Sequence, residues 1–269
     1  MDIEFAKGHG TRNDFVVFAD PDNLYDLSPE QVRHLCDRRG GIGGDGVLRA
    51  VRASQLHVWA DSGASWFMDY RNADGSIAEM CGNGLRVFLR FLAEEELIDA
   101  SGDTVVGTRA GLRSGRFLED GRIAVTMGCA TVGESVTVSH DGRSWPATAV
   151  DVGNPHAVVV LDSASVLDGL DLTITPTWEP VDAFPNGVNT EFVLREDAGR
   201  LRLRVFERGV GETNSCGTGV VAAAAAVGGA ERCVVEVLGG TLEVLLDGPE
   251  AVLVGPAVIV ARGRIELSS

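Results

Sequence analysis

MDYRNADGSIAEMCGNGLRVFLRFLAEEE runs from Met68 to Glu96, and LRVFERGVGETNSCGTGVVAAAAAVGG runs from Leu203 to Gly229. The two stretches share an order. Each opens on a strand-like alternation, FMDY in one and RLRVF in the other. A polar, glycine-containing loop follows, then Cys-Gly-x-Gly, then a helix-forming run. The spacing agrees as well: Asn72 lies nine residues before Cys81, and Glu207 nine before Cys216. Shared order and spacing at a fixed separation predict two halves built on one plan.

The rest of the chain supports an α/β protein of the α+β type. Strand-like runs include DFVVFAD, GVLRAVR, IAVTMG, HAVVVLD, EFVLRE, TLEVLL and AVIVARG, separated by turn signals such as DPDN, DGR and LDGP. Helices are predicted over Ser28–Arg39, Gly84–Glu96 and Gly217–Val227. A boundary near residue 128 gives an N-terminal half, 1–127, carrying Cys81, and a C-terminal half, 128–257, carrying Cys216. A final strand at about 258–269 is expected to return to the first half.

With 23 basic against 39 acidic residues the formal charge is −16, which opposes binding to nucleic acid or an anionic membrane. No apolar run approaches the roughly 20 residues of a membrane span. The start, MDIEFAKGHG, lacks a charged-then-apolar signal pattern, so a cytoplasmic protein is expected. The five cysteines, Cys36, Cys81, Cys129, Cys216 and Cys233, are odd in number and show no C-x-x-C pair. That argues against a disulfide framework and against a zinc site. Cys36, Cys129 and Cys233 read as small core residues, since nothing around them would activate a thiolate. Gly41–Gly46 fits G-x-G-x-x-G, but a helix precedes it and a strand follows, the reverse of a dinucleotide-binding turn.

Cys81 and Cys216 read differently. Cys-Gly-x-Gly at a helix entry places a thiol beside backbone N–H groups that have no partner within the helix, where the helix carries partial positive charge. Such a setting lowers a cysteine pKa, and the same N–H groups bind a carboxylate. Inverting a stereocentre requires a base on one face of the carbon and an acid on the other, in opposite protonation states. Two equivalent thiols at two helix starts answer that need, and the helix ends stabilise the charge of the carbanion.

Six blocks of the sequence carry a family resemblance. They are KGHGTRNDFVV (Lys7–Val17), GGIGGDG (Gly40–Gly46), NADGSIAEMCGNGLR (Asn72–Arg86), DVGNPHAVV (Asp151–Val159), NGVNTEFV (Asn186–Val193) and VFERGVGETNSCGTG (Val205–Gly219). In this order the chain resembles the diaminopimelate epimerases. The resemblance implies two pseudo-symmetric halves, each a mostly antiparallel sheet around a central helix, with the active site between them. It implies interconversion of LL- and meso-2,6-diaminopimelate in lysine and peptidoglycan synthesis, by a homodimer, without pyridoxal phosphate or metal. Cys81 and Cys216 take the acid–base roles. Asn13, Asn72, Asn154, Asn189, Glu207 and Arg208 match positions that hold the substrate, and Gly82, Asn83, Gly217 and Thr218 match those that bind the reacting carboxylate. Arg208 suits the distal carboxylate and Glu207 the distal ammonium. His156, beside Asn154 and Pro155, reads as structural, though flanking the cysteine site. Gly46 departs from the pattern, standing where many members have glutamine.

Overall fold

The computed structural model describes residues 2–267. The described residues divide into two compact units, 2–126 with 255–267, and Met127–Val254.

Unit 1 begins with a hairpin, β1 (Asp2–Gly10) and β2 (Asn13–Ala19), followed by α1 (Pro29–Cys36), β3 (Gly46–Arg52), β4 (Trp66–Asn72), α2 (Gly82–Glu94), β5 (Thr104–Thr108), β6 (Gly111–Phe117) and β7 (Ile123–Gly128). Unit 2 carries β8 (Thr131–His140), β9 (Arg143–Asp151), β10 (Pro155–Leu161), α3 (Ala164–Asp168), β11 (Thr177–Glu179), β12 (Asn189–Asp197), β13 (Arg200–Glu207), β14 (Gly211–Thr213), α4 (Gly217–Val227), β15 (Arg232–Val237), β16 (Gly240–Leu245) and β17 (Ala251–Gly255). The chain then returns to unit 1 with β18 (Val258–Glu266), antiparallel to β1.

Strand pairing repeats between the units. In unit 1 the run is β18-β1-β2-β3-β4-β5-β6-β7, antiparallel except for β2–β3 and β4–β5. In unit 2 it is β8-β9-β10-β12-β13-β15-β16-β17, antiparallel except for β10–β12 and β13–β15. Each parallel step is crossed by a longer connection. In both units the second of these holds the Cys-Gly-x-Gly helix.

Those helices are central. Along α2 every residue from Gly82 to Leu89 is buried, and in α4 Gly217 and the run from Gly219 to Ala224 are buried. A helix enclosed on nearly all sides has no polar face to spare, which explains the runs of small and apolar residues. The core of unit 1 packs Phe88, Leu85, Leu89 and Leu92 of α2 with Phe15 and Leu48 from the strands. Unit 2 has its own core of Val136, Val138, Ala157, Val159, Leu161 and Phe192, joined by Leu167 of α3. Buried charge in unit 1 is tied down as well: Arg49 pairs with Asp20 at 2.8 Å and Asp69 at 3.0 Å, and Asp69 also receives Arg71 and Arg109.

Helix ends shift from the sequence expectation for local reasons. α1 stops at Cys36 because the Asp37 carboxylate accepts the N–H groups of Arg39 and Gly40, turning the chain out of the helix. α2 starts two residues earlier than expected because Cys81 itself is the N-cap. Cys36 and Cys233 are buried thiols, and burial pushes Cys36 up to about 12. Cys129 is not a core residue: it is exposed, just past the left-handed Gly128, and its thiol donates to the Pro249 carbonyl at 3.2 Å.

Phe88 is 0 % exposed in the middle of α2. Phe88→Ala is therefore expected to destabilise the protein by about 3–5 kcal/mol in chemical denaturation, with the loss appearing in the midpoint and not in the slope.

Candidate active site

Each unit carries one thiol at a helix N-cap. In unit 1, Cys81 takes extended dihedrals (φ −143°, ψ 120°), and its Sγ accepts the Gly84 N–H at 3.3 Å. The thiol also faces the Asn13 side chain, Sγ to Oδ1 3.5 Å, and that oxygen receives Asn83 Nδ2 at 3.3 Å. Asn13 is oriented from behind: its Nδ2 donates to Asp45 Oδ2 at 2.8 Å, which leaves Oδ1 for the thiol. Asp45 and Asp14 are in turn bridged by Arg38, with Lys7 on Asp14, so this group of four charges is balanced. Asn72, at the end of β4, donates to the Ser76 hydroxyl at 3.0 Å.

Unit 2 surrounds its thiol with different groups. Cys216 is 7 % exposed, caps α4 in an extended conformation and makes no cap hydrogen bond from its side chain. Its Sγ lies 3.5 Å from Thr218 Oγ1 and meets the Glu207 carboxyl, which also accepts the Thr213 hydroxyl. Asn189 Oδ1 receives the Arg208 backbone N–H at 2.9 Å, and the Arg208 guanidinium rests on the carbonyls of Asn186 and Gly187. Asn154 Oδ1 lies 3.0 Å from His156 Nε2, and His156 Nδ1 lies 2.7 Å from Glu191 Oε1. Both His156 and Glu191 are wholly buried, and Glu191 Oε2 has no hydrogen-bond partner among the described residues.

Burial, together with the nearby carboxylates of Glu207 and Glu191, pushes the Cys216 thiol well above its usual range. The sequence expectation that a helix start lowers a thiol's pKa is thus overridden here: desolvation and two acids outweigh the helix end. Burial likewise raises the Glu207 carboxyl.

Unit 1 therefore brings together Cys81, Gly82, Asn83 and Asn13, and unit 2 brings together Cys216, Thr218 and Glu207, with Asn189 and Arg208 adjacent. Glu191, Asp45 and Thr213 escaped the sequence reading. Glu191 was within reach: an acid between apolar neighbours inside NTEFV breaks the strand's pattern and asks for a buried partner. Among the described residues no group of three or more His, Cys, Asp or Glu side chains is placed to hold a metal. No helix among them is long and apolar enough to cross a membrane.

At Gly46 a side chain has no room as the backbone stands, since an added Cβ would lie 2.6 Å from the Arg71 carbonyl oxygen. The residue two after each helix's first glycine differs in the same respect. A Cβ on Gly84 would make ordinary contact at 3.4 Å, whereas on Gly219 it would lie 2.6 Å from Glu191 Oε1.

The profile of the diaminopimelate epimerase family matches residues 5–133 and 148–260. Relatives named diaminopimelate epimerase include those of Rhodococcus erythropolis (47 % identical, 98 % of this chain and 96 % of the relative) and Streptomyces coelicolor (46 %, with the same coverage). That of Thermobifida fusca is 47 % identical over 99 % of both chains. Among solved structures, a predicted epimerase from Pseudomonas aeruginosa superposes with a TM-score of 0.72 at 15 % identity, covering 99 % of this chain and 100 % of its own. A hydroxyproline epimerase from Agrobacterium vitis does so with 0.66 at 15 %, covering 98 % and 92 %. At that identity these two show the fold alone.

Two substitutions separate the glycines of the twin motifs. Gly84→Ala is expected to be neutral or to stabilise by up to about 1 kcal/mol. Gly219→Ala is expected to destabilise clearly, because Glu191 is pinned by His156; thermal melts of the two variants side by side check this.

Proposed function

The chain belongs to the diaminopimelate epimerase family, and from that premise we propose that it interconverts LL- and meso-2,6-diaminopimelate through the thiols of Cys81 and Cys216. The observation that carries the two-thiol reading is the repeat itself: each unit presents one cysteine as the N-cap of its central helix.

Chemically, a thiolate removes the α-proton and becomes a thiol, leaving the electron pair on the α-carbon and its carboxylate. The other thiol delivers its proton to the opposite face and becomes the thiolate. The enzyme ends the turnover with the two protonation states exchanged, ready for the reverse direction. The amide N–H groups of Gly82, Asn83, Gly217 and Thr218 serve the reacting carboxylate, because the first N–H groups of a helix have no partner within it. Asn13, Asn72, Asn154, Asn189, Glu207 and Arg208 hold the rest of the substrate, with Arg208 exposed at the end of β13 and rich in donors for a distal carboxylate. Glu207 also contacts Cys216, which suits a group that takes part in proton management beside its role toward an ammonium. The same reading includes a homodimer supplying lysine and peptidoglycan synthesis, on the strength of the family resemblance, placed in the cytoplasm by the sequence pattern of its start.

Incubation of reduced protein with LL-diaminopimelate in D₂O, with no cofactor added, is expected to give meso product carrying deuterium at one α-carbon. Cys81→Ala and Cys216→Ala are each expected to lower turnover by at least about a thousandfold, since each removes one of two obligatory proton carriers. Exchange of proline or hydroxyproline, with diaminopimelate inert, would overturn the substrate assignment.

A further inference from the structure

The strand registers align the two units residue by residue. Phe15 stands beside Gly46, and Gly46 opposite Asn72. His156 stands beside Asn189, and Thr190 opposite Phe206 puts Asn189 across from Glu207. Phe15 thus corresponds to His156, Leu48 to Glu191 and, five residues after each cysteine, Arg86 to Val221. Backbone plan is shared, but charge is not. Beneath Cys216 lie an acid and a histidine, whereas beneath Cys81 lie a phenylalanine and a leucine, with an arginine on the helix itself.

Arg86 is the unusual member. It is 0 % exposed, and its guanidinium reaches back toward the start of α2. There it donates to Asn83 Oδ1 at 2.9 Å, the Gly82 carbonyl at 3.4 Å, the Thr11 hydroxyl at 3.5 Å and the Pro256 carbonyl at 3.3 Å. Every one of these acceptors is neutral. A buried cation without an anion is costly, and one at the positive end of a helix is opposed by the helix dipole as well. The carboxylates of the neighbouring hairpin and loop, Asp14 and Asp45, are already matched by Lys7 and Arg38. Burial pushes the guanidinium down to about 10, and the ionisable group that opposes this is Cys81, five residues before it, whose charge favours the protonated form. The groups facing Cys216 are instead Glu207 and, behind it, Glu191 with His156.

We propose that Arg86 is a positioning residue for Cys81, its buried charge holding that thiol ionised, so that the resting enzyme carries Cys81 as thiolate and Cys216 as thiol. The inference rests on the two-thiol reading for its catalytic meaning, but not for its electrostatics. At the N-cap, Cys81 Sγ accepts the Gly84 N–H at 3.3 Å, a bond that a thiolate keeps, while its 3.5 Å contact with Asn13 Oδ1 is one that ionisation gives up.

The test is alkylation of the reduced full-length protein by iodoacetamide across pH, with each cysteine followed by peptide mass spectrometry. The pH midpoint is read, because absolute rates also reflect burial. Cys81 is expected to have the lower midpoint. Arg86→Met is expected to raise it by at least about one pH unit, slowing Cys81 alkylation about tenfold at neutral pH, with the Cys216 midpoint unmoved. Arg86→Lys keeps the charge and is expected to restore most of the shift. A folded Arg86→Met protein with an unchanged Cys81 midpoint overturns the proposal, as does a lysine variant no better than methionine. Should the methionine variant fail to fold, a wild-type Cys216 midpoint below that of Cys81 overturns it equally. If the Cys81 midpoint moves as expected while Cys81→Ala still exchanges substrate deuterium, the assignment of Arg86 stands and the two-thiol reading falls.

Discussion

Both units depend on the close approach of a helix's first turn to the strand beneath it. A cysteine can cap a helix and still present its sulfur to a ligand only if the third residue of that helix gives the strand room. Gly84 does so over Leu48 and Phe15, and Gly219 over Glu191. The rest follows from that contact. The helix must be enclosed, so its sequence is apolar and small, and the strands that wrap it alternate parallel and antiparallel steps to return to both of its sides. The Cys-Gly-x-Gly signature is thus a packing rule and a chemical rule at once.

The repeated backbone makes the differences informative. Two identical surroundings would give both thiols the same proton affinity. Here the second strand of the parallel step carries Leu48 in one unit and Glu191 in the other, and the preceding strand carries Phe15 or His156. A polar pair sealed in a core costs stability and demands satisfaction. His156 meets that demand for one Glu191 oxygen, and the other has no partner among the described residues. Symmetry of fold and asymmetry of charge are therefore separate products of the same sequence.

Much of this was legible before any coordinates. Helices α1 and α2 stand out by apolar residues at helical spacing, α4 by the alanine run after its Cys-Gly-x-Gly, and strands such as Pro155–Leu161 by an apolar run. The strands at 131–140 and 143–151 do not. Their faces are largely exposed, and the one short alternation, Val136 and Val138 buried between polar neighbours, follows five exposed residues in β8, while Pro146 interrupts β9. At the site, Cys81, Cys216 and Glu207 were readable from two motifs that repeat, and Asn13, Asn83 and Thr218 from the family resemblance. What stayed hidden was contact across the chain. Asp45 acts on Asn13 from 32 residues away, and Glu191 reaches under a helix that begins 26 residues later. Burial first, then the carboxylates of Glu207 and Glu191, raise the Cys216 thiol, so a rule about helix ends alone misjudged it.

Unit 1 is assembled from two distant parts of the chain, with Val258–Glu266 lying along Asp2–Gly10. During synthesis the ribosome delivers all of unit 2 before it delivers that strand. The second unit can close its sheet while the first still waits with β1 bare along one edge, a surface open to pairing with other chains. A nascent chain thus keeps that edge of β1 open until β18 has been made, although β1 is made first.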